Sequence, residues 1–422
     1  MLERSQIVSG YREHVNVGMA RLFELMHSPL EVHSDANFIV GEHGDCYLDC
    51  AGYCVFLLGH RHPAVVAAVQ EQLALLPVSS RVMINGPLAV AATSLAAVAP
   101  SGLEYVWFGS SGAEAVEAAL KLAIANGRSH WISMEGGYHG KSLGALSVSG
   151  RESYRAPFAS LLPKVDFLSY GDAEAIEDAL AGKGSESAVI MEPLQSEAGV
   201  IIPPPGYLKA VSDICHRHGA LLIVDEISTG LGRTGAWWRC QTEMMEPDIL
   251  LAGKALGGGV LPVSALIATA AAFRPFNKEP LLHTSTFSGN PLGCAAVVAA
   301  LSAIRDDDVI AKSQRIGARL RSEIQMLSAR HEGAQISAVR GAGLLIGIEF
   351  HQEHQAADFI LELMSRRILV SHSLNAHKVV RLTPPSTLTD GNVNQLLTAV
   401  AESLAAIAHR HISSDRRYLS HA

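Results

Sequence analysis

From about residue 60 to residue 300 the chain alternates short apolar runs with segments whose apolar positions recur at helical spacing. "EYVWFGS" predicts a strand, and "AEAVEAALKLAIA" behind it predicts a helix with Ala, Leu and Ile on one face. "HWISME" and "SAVIMEPL" predict two more strands, and "DICHRHG" the end of a helix at Gly219. "ALLIVDEI" is a strongly apolar strand and "PDILLAGKA" another. A strand buried on both sides has no polar alternate positions. Apolar strands between helices therefore indicate a mostly parallel sheet covered on both faces. That is the α/β doubly wound pattern.

After about residue 305 the texture changes. A charged helix, "AKSQRIGARLRSEIQMLSARH", leads into "GLLIGIEF", "RILVS" and "KVVRL", and then a last helix from Asn392 to Ala408. These predict a smaller α+β domain over 306–422, following a large domain over 56–305. Residues 1–55 are expected to join the small domain, because "GDCYLDCAG" reads as a hairpin ahead of the large one. The polar tail from His409 to Ala422 is expected to fray.

Composition narrows the class without naming it. The 422 residues are 48% hydrophobic and 18% charged, ordinary for a globular protein, with a net charge of −8. An acidic balance gives no basic face for nucleic acid or an anionic membrane. Glu3 and Arg4 precede no apolar h-region, so no signal peptide is expected. The longest apolar candidate, "PLAVAATSLAAVAP", is broken by Thr93 and Ser94 and is too short for a membrane span. Six cysteines in a long chain of this kind are expected to be free thiols, which suits the cytoplasm. No His or Cys cluster completes a metal site around Cys46, Cys50 and Cys54, so no metal is expected.

The candidate chemistry begins in "DILLAGKALGGGV". Lys254 stands between an apolar strand and three glycines, at 257 to 259, where a surface lysine has no reason to be. A desolvated lysine amine becomes nucleophilic near neutral pH. In "LLIVDEISTG", Asp225 ends a central strand, where α/β sheets place their ligands. A buried carboxylate there calls for a cation, and a protonated pyridine nitrogen would be one. In "FGSSGAEAVEAALKLA", Ser110, Ser111 and Gly112 open a helix whose free N–H groups suit an anion. In "EGGYHGKSLGALS", glycines bracket Tyr138 and His139, two flat side chains of which one could stack on a planar ring. In "HTSTFSGNPLGCAA", Thr284, Ser285, Thr286 and Ser288 precede a helix near Pro291. Each has a bland alternative in capping or turn packing. Together they describe a phosphate, a basic ring nitrogen and an aldehyde held by a lysine, which is pyridoxal 5'-phosphate.

These segments, with "EPLQSEAGVIIPPPGYL" and "VDEISTGLGRTG", resemble the class III (ornithine-type) aminotransferases over about Gly41 to Thr389. Within that class "YHGKSLGALS", "KALGGGVLP" and "RLTPPSTLT" look most like putrescine aminotransferases. The resemblance implies a pyridoxal-phosphate transferase of fold type I, a homodimer with shared active sites. It implies transfer of an amino group from a primary amine to 2-oxoglutarate. Lys254 would carry the cofactor aldehyde and move the substrate proton, and Asp225 would pair with the ring nitrogen. Ser111, Gly112 and Ala113 would hold the phosphate from one subunit and Thr286 from the other. Tyr138 and Ile227 would flank the ring, with Glu192 near Asp225. Glu197 would mask Arg381 until a 2-oxo acid arrives, and an arginine fork suits its carboxylate. Two positions depart from the family. Ser228 replaces the usual Gln near the ring hydroxyl, and Lys141 replaces the Arg that ornithine-type members use for a distal carboxylate.

Other readings compete. "GLGRTG", Gly230 to Gly235, matches a dinucleotide fingerprint literally, but "DEIST" separates it from the strand and "AWWRCQ" is a poor helix start. The same fold also hosts decarboxylation and aminomutase chemistry. A scaffold without chemistry would not need Lys254 and Asp225.

Overall fold

The computed structural model describes residues 3–419. Two helices, Arg4–Gly10 and Val17–Leu25, open the chain, the second capped by the Asn16 side chain, which accepts the Met19 N–H. Strands β1 (Glu31–Asp35), β2 (Phe38–Gly41) and β3 (Cys46–Asp49) follow as an antiparallel meander. The hairpin expected in "GDCYLDCAG" is thus displaced: β3 pairs back onto β2. The residues after it turn instead, with Tyr53 and Cys54 at φ +47° and +67°.

The next seven strands form one sheet: β4 (Leu103–Gly109), β5 (His130–Met134), β6 (Asp166–Leu168), β7 (Ser187–Met191), β8 (Leu221–Asp225), β9 (Ile249–Ala252) and β10 (Ser264–Thr269). Their order is β4-β10-β9-β8-β7-β5-β6. Pairing is parallel from β9 through β6, while β10 is antiparallel to both neighbours. The apolar runs have the predicted cause. In β8, Leu222 and Val224 pack into one core, and Leu221 and Ile223 into a second on the opposite face. The helix Gly112–Ala125 covers one face, and Tyr207–His218 and Pro291–Asp306 cover the other.

The last part holds β11 (Ile336–Ala342), β12 (Leu345–Phe350), β13 (Ile368–Leu369), β14 (Ser371–Ser373) and β15 (Ala376–Leu382). Four of these form an antiparallel sheet in the order β11-β12-β15-β14. "RILVS" splits between two sheets, because β13 leaves to pair in parallel with β3. The first strands therefore share a sheet with the C-terminal part. The last helix is Asp390–Leu419, running past the expected end at Ala408. No Gly or Pro follows Gly391, so nothing in the sequence stops the helix where fraying was expected.

Candidate active site

Five segments meet at one edge of the large sheet. β8 ends at Asp225, β7 leads into Glu192, and β5 into Gly136–His139. β9 leads into Lys254, and β4, running the same way, into Ser110–Gly112. The carboxyl ends of adjacent parallel strands make the crevice in which open α/β sheets bind ligands.

The floor is a buried polar cluster. Asp225 is 4% exposed, and its Oδ2 accepts from the Nδ1 of His139 at 2.8 Å while its Oδ1 accepts the Ile227 N–H at 3.0 Å. The Nε2 of His139 is buried without a partner among the described residues. Glu192 is equally buried and accepts the N–H groups of Tyr138 at 3.0 Å and Ser196 at 3.2 Å. Burial pushes its carboxyl up to about 7, with the Asp225 charge adding to that and His139 opposing it. Tyr138 above it is half-buried, its hydroxyl pushed up by burial and then by Glu197.

Lys254 sits at φ +48°, in the left-handed region that non-glycine residues rarely adopt. Such strain concentrates at functional sites. Its Nζ donates to the Ser228 Oγ. Lys254 lines a cavity of about 290 Å³ with Ser110, Ser111, Gly112, Phe56 and the stretch Gly259–Val263. Ser111 caps the helix Gly112–Ala125, taking the Glu114 N–H at 3.3 Å, and Glu114 takes the Ser110 N–H at 2.6 Å. The N–H groups of Gly112 and Ala113 have no acceptor inside their own helix. A Cβ on Gly112 would come within 2.9 Å of the tip of the Ile227 side chain, so the helix start and that side chain are closely packed. Thr286 is exposed and lies outside this cavity's lining.

A second polar group adjoins the first. Arg381, 1% exposed, pairs through Nη1 with Glu197 Oε1 at 2.5 Å and with Ser196 Oγ at 3.1 Å. Its Nε and Nη2 have no partner among the described residues. Lys141 is exposed, with its amine 4.3 Å from the centre of the Tyr154 ring.

Two positions singled out in the sequence have clear surroundings. Ser228 lies against Lys254, its hydroxyl accepting from the lysine amine. "GLGRTG" forms turns, and the following Arg239–Glu243 is a 3-10 helix, so no helix presents its N-terminus to a dinucleotide. Its Arg233 is buried, donating to the carbonyls of Leu344 and Pro384. Sequence reading passed over Phe56, Ser196 and the turn at Leu374–Asn375, all of which border the site through contacts far apart in the chain.

The donor set fits pyridoxal phosphate. A lysine amine and a helix start open to an anion share one cavity, and a neighbouring buried carboxylate suits a cationic heterocycle. Fold and site together define a pyridoxal-phosphate enzyme of the α/β type. The family profile "Aminotransferase class-III" matches residues 26–404, and the chain belongs to that family. It is an aminotransferase. The ornithine aminotransferase of Toxoplasma gondii ME49 is 29% identical, with 97% of each chain covered and a TM-score of 0.88. The acetylornithine aminotransferase of Elizabethkingia anophelis is 30% identical, with 92% of this chain and 98% of that one covered and a TM-score of 0.78. An amine transaminase from an uncultivated Pseudomonas species is 27% identical, with 90% and 95% covered and a TM-score of 0.82.

Proposed function

We propose that the enzyme transfers an amino group from a primary amine, a diamine such as putrescine first, to 2-oxoglutarate, giving an aldehyde and glutamate. The observation that carries this reading is the buried Glu197–Arg381 pair with two spare guanidinium donors. With Glu197 in place the pair is neutral and admits an amine that has no carboxylate. With Glu197 turned away, Arg381 offers its fork to a 2-oxo acid.

Bound in the cavity, pyridoxal phosphate supplies an aldehyde carbon and a ring that takes up an electron pair. The Gly112 and Ala113 N–H groups and the Ser111 hydroxyl would hold the phosphate, with Thr286 of a second subunit completing the hold. Tyr138 and Ile227 bracket the ring. Asp225, fixed by its bonds with His139 and the Ile227 N–H, would hold the proton on the ring nitrogen, and Glu192 fixes the loops on either side. The Lys254 amine would take the proton from the carbon beside the substrate nitrogen and return it one position away. Ser228 accepts from the lysine and aims it.

The exposed apolar side chains Val82, Met83, Ile84, Leu281 and Phe287 support a homodimer, since so large a set is rarely left to water. Six free cysteines support a reducing, cytoplasmic compartment. One further observation favours a second donor class, a carboxylate-bearing amine of the ornithine or acetylornithine kind. Lys141 and Arg151 both lie over Tyr154, at 4.3 Å and 4.8 Å, and neither has a carboxylate partner among the described residues.

A panel of amines assayed with 2-oxoglutarate and with pyruvate decides between these. Glutamate formed in step with aldehyde from a diamine is the expected result. Turnover confined to carboxylate-bearing amines supports the second class, and carbon dioxide release without glutamate rules out both.

A further inference from the structure

Glu197 is gripped by more than Arg381. The additional hold comes from the turn between β14 and β15, which the chemistry described above does not use. The Leu374 N–H donates to Glu197 Oε2 at 2.9 Å. The Asn375 N–H donates to the backbone carbonyl of Glu197, also at 2.9 Å. The Asn375 side chain in turn donates through Nδ2 to the Gly136 carbonyl at 3.0 Å, two residues ahead of Tyr138. Arg151 grips the turn from outside, donating to the Leu374 carbonyl and, at 3.3 Å, to Asn375 Oδ1. One turn thus ties the arginine's mask to the loop that carries Tyr138.

The backbone beneath Glu197 is fixed independently. The Val200 N–H donates to the Ser196 carbonyl at 3.2 Å. Arg340 donates to the Gly199 carbonyl through Nε at 2.9 Å and Nη2 at 2.6 Å. Glu197 therefore leaves Arg381 by rotating its side chain, and that rotation breaks the bond from Leu374 along with the ion pair. The turn stabilises the masked state specifically, and a ligand that binds only the open state works against it.

We propose that the Leu374–Asn375 turn is a latch, and that Asn375 is the positioning residue that sets how tightly Glu197 masks Arg381. The latch rests on the reading of Arg381 as the carboxylate site for the 2-oxo acid. Without the Asn375 side chain the turn loses its tie to Gly136 and one of its two bonds from Arg151, and the Leu374 N–H is held less firmly against Glu197. The masked state rises relative to the open one. A carboxylate ligand then binds more tightly, which is the opposite of what general damage to the site does.

Glutarate is the probe, because it carries two carboxylates and has no carbonyl with which to react. Its binding to the pyridoxal-phosphate-loaded enzyme is measured by calorimetry for wild type, Asn375→Ala and Asn375→Ser, whose side chains are too short to reach Gly136. The dissociation constant is expected to fall about fourfold in both, the scale of one hydrogen bond, and KM for 2-oxoglutarate to fall with it. Either variant decides the matter if the other does not fold. Unchanged or weaker glutarate binding, at an unaltered melting temperature, overturns the latch. A wild-type enzyme that binds glutarate no better than Arg381→Ala overturns the carboxylate reading, and the latch with it.

Discussion

Two carboxylates buried beside one histidine cannot both stay charged without a penalty. Asp225 takes the histidine's proton donor at 2.8 Å, and Glu192 is left with two backbone N–H groups and is pushed up to about 7. A carboxyl raised in the folded state binds a proton that the unfolded chain has lost. Its contribution to stability is therefore complete below about pH 4.5 and disappears as pH rises to about 7. In the cofactor-free protein, Glu192→Gln should flatten the fall in stability over that window, worth up to about 3 kcal/mol. Denaturation midpoints measured across the window check this, and parallel curves for variant and wild type would count against it. Asp225→Asn should retain cofactor and lose turnover by about 100-fold, read from stopped-flow half-reactions; unchanged rates would remove its assigned role. Lys254 and Asp225 were legible in the sequence because each ends an apolar strand, where a charge has no structural excuse. Ser196 and Asn375 were not, because their partners lie far along the chain at Arg381 and Gly136.

Strands follow the apolar pattern, and the joints between elements depend on backbone approaches that no periodicity encodes. The helix Val309–Arg330 touches the β11–β12 turn so closely that a Cβ on Gly317 would stand 1.9 Å from the Gly343 carbonyl oxygen. Gly343 is itself at φ +51° and packs against the Arg233–Gly235 backbone, so it has little room to yield. Gly317→Ala should therefore cost about 1–3 kcal/mol, seen as a lower urea midpoint, and an unchanged midpoint would show that the joint is soft. The central parallel strands were read from long apolar runs bounded by helices. β10, "SALIAT", was passed over because it follows a glycine turn directly and enters antiparallel, with no crossover helix to announce it. The two N-terminal helices escaped for a different reason: the first buries no residue, and in the second Val17, Met19, Leu22 and Leu25 are exposed, so there is little buried stripe to detect.

The whole molecule leaves Ile84 99% exposed, Val82 90% and Leu281 80%. The two segments that carry them are joined where Arg81 donates to the Ser285 carbonyl, one residue from Thr286. The proposed shared site and the exposed apolar surface therefore fall in the same place. Sedimentation should give a dimer, and Ile84→Asp with Leu281→Asp should yield a monomer that loses most activity; a fully active monomer would contradict the shared site. Beneath that question lies the imine expected between Lys254 and pyridoxal phosphate. The direct measurement is borohydride reduction of the yellow holoenzyme, followed by digestion and mass analysis of the peptides. The account predicts loss of colour and the cofactor's mass on the peptide containing Lys254. Cofactor mass on any other lysine, or on none, would contradict it.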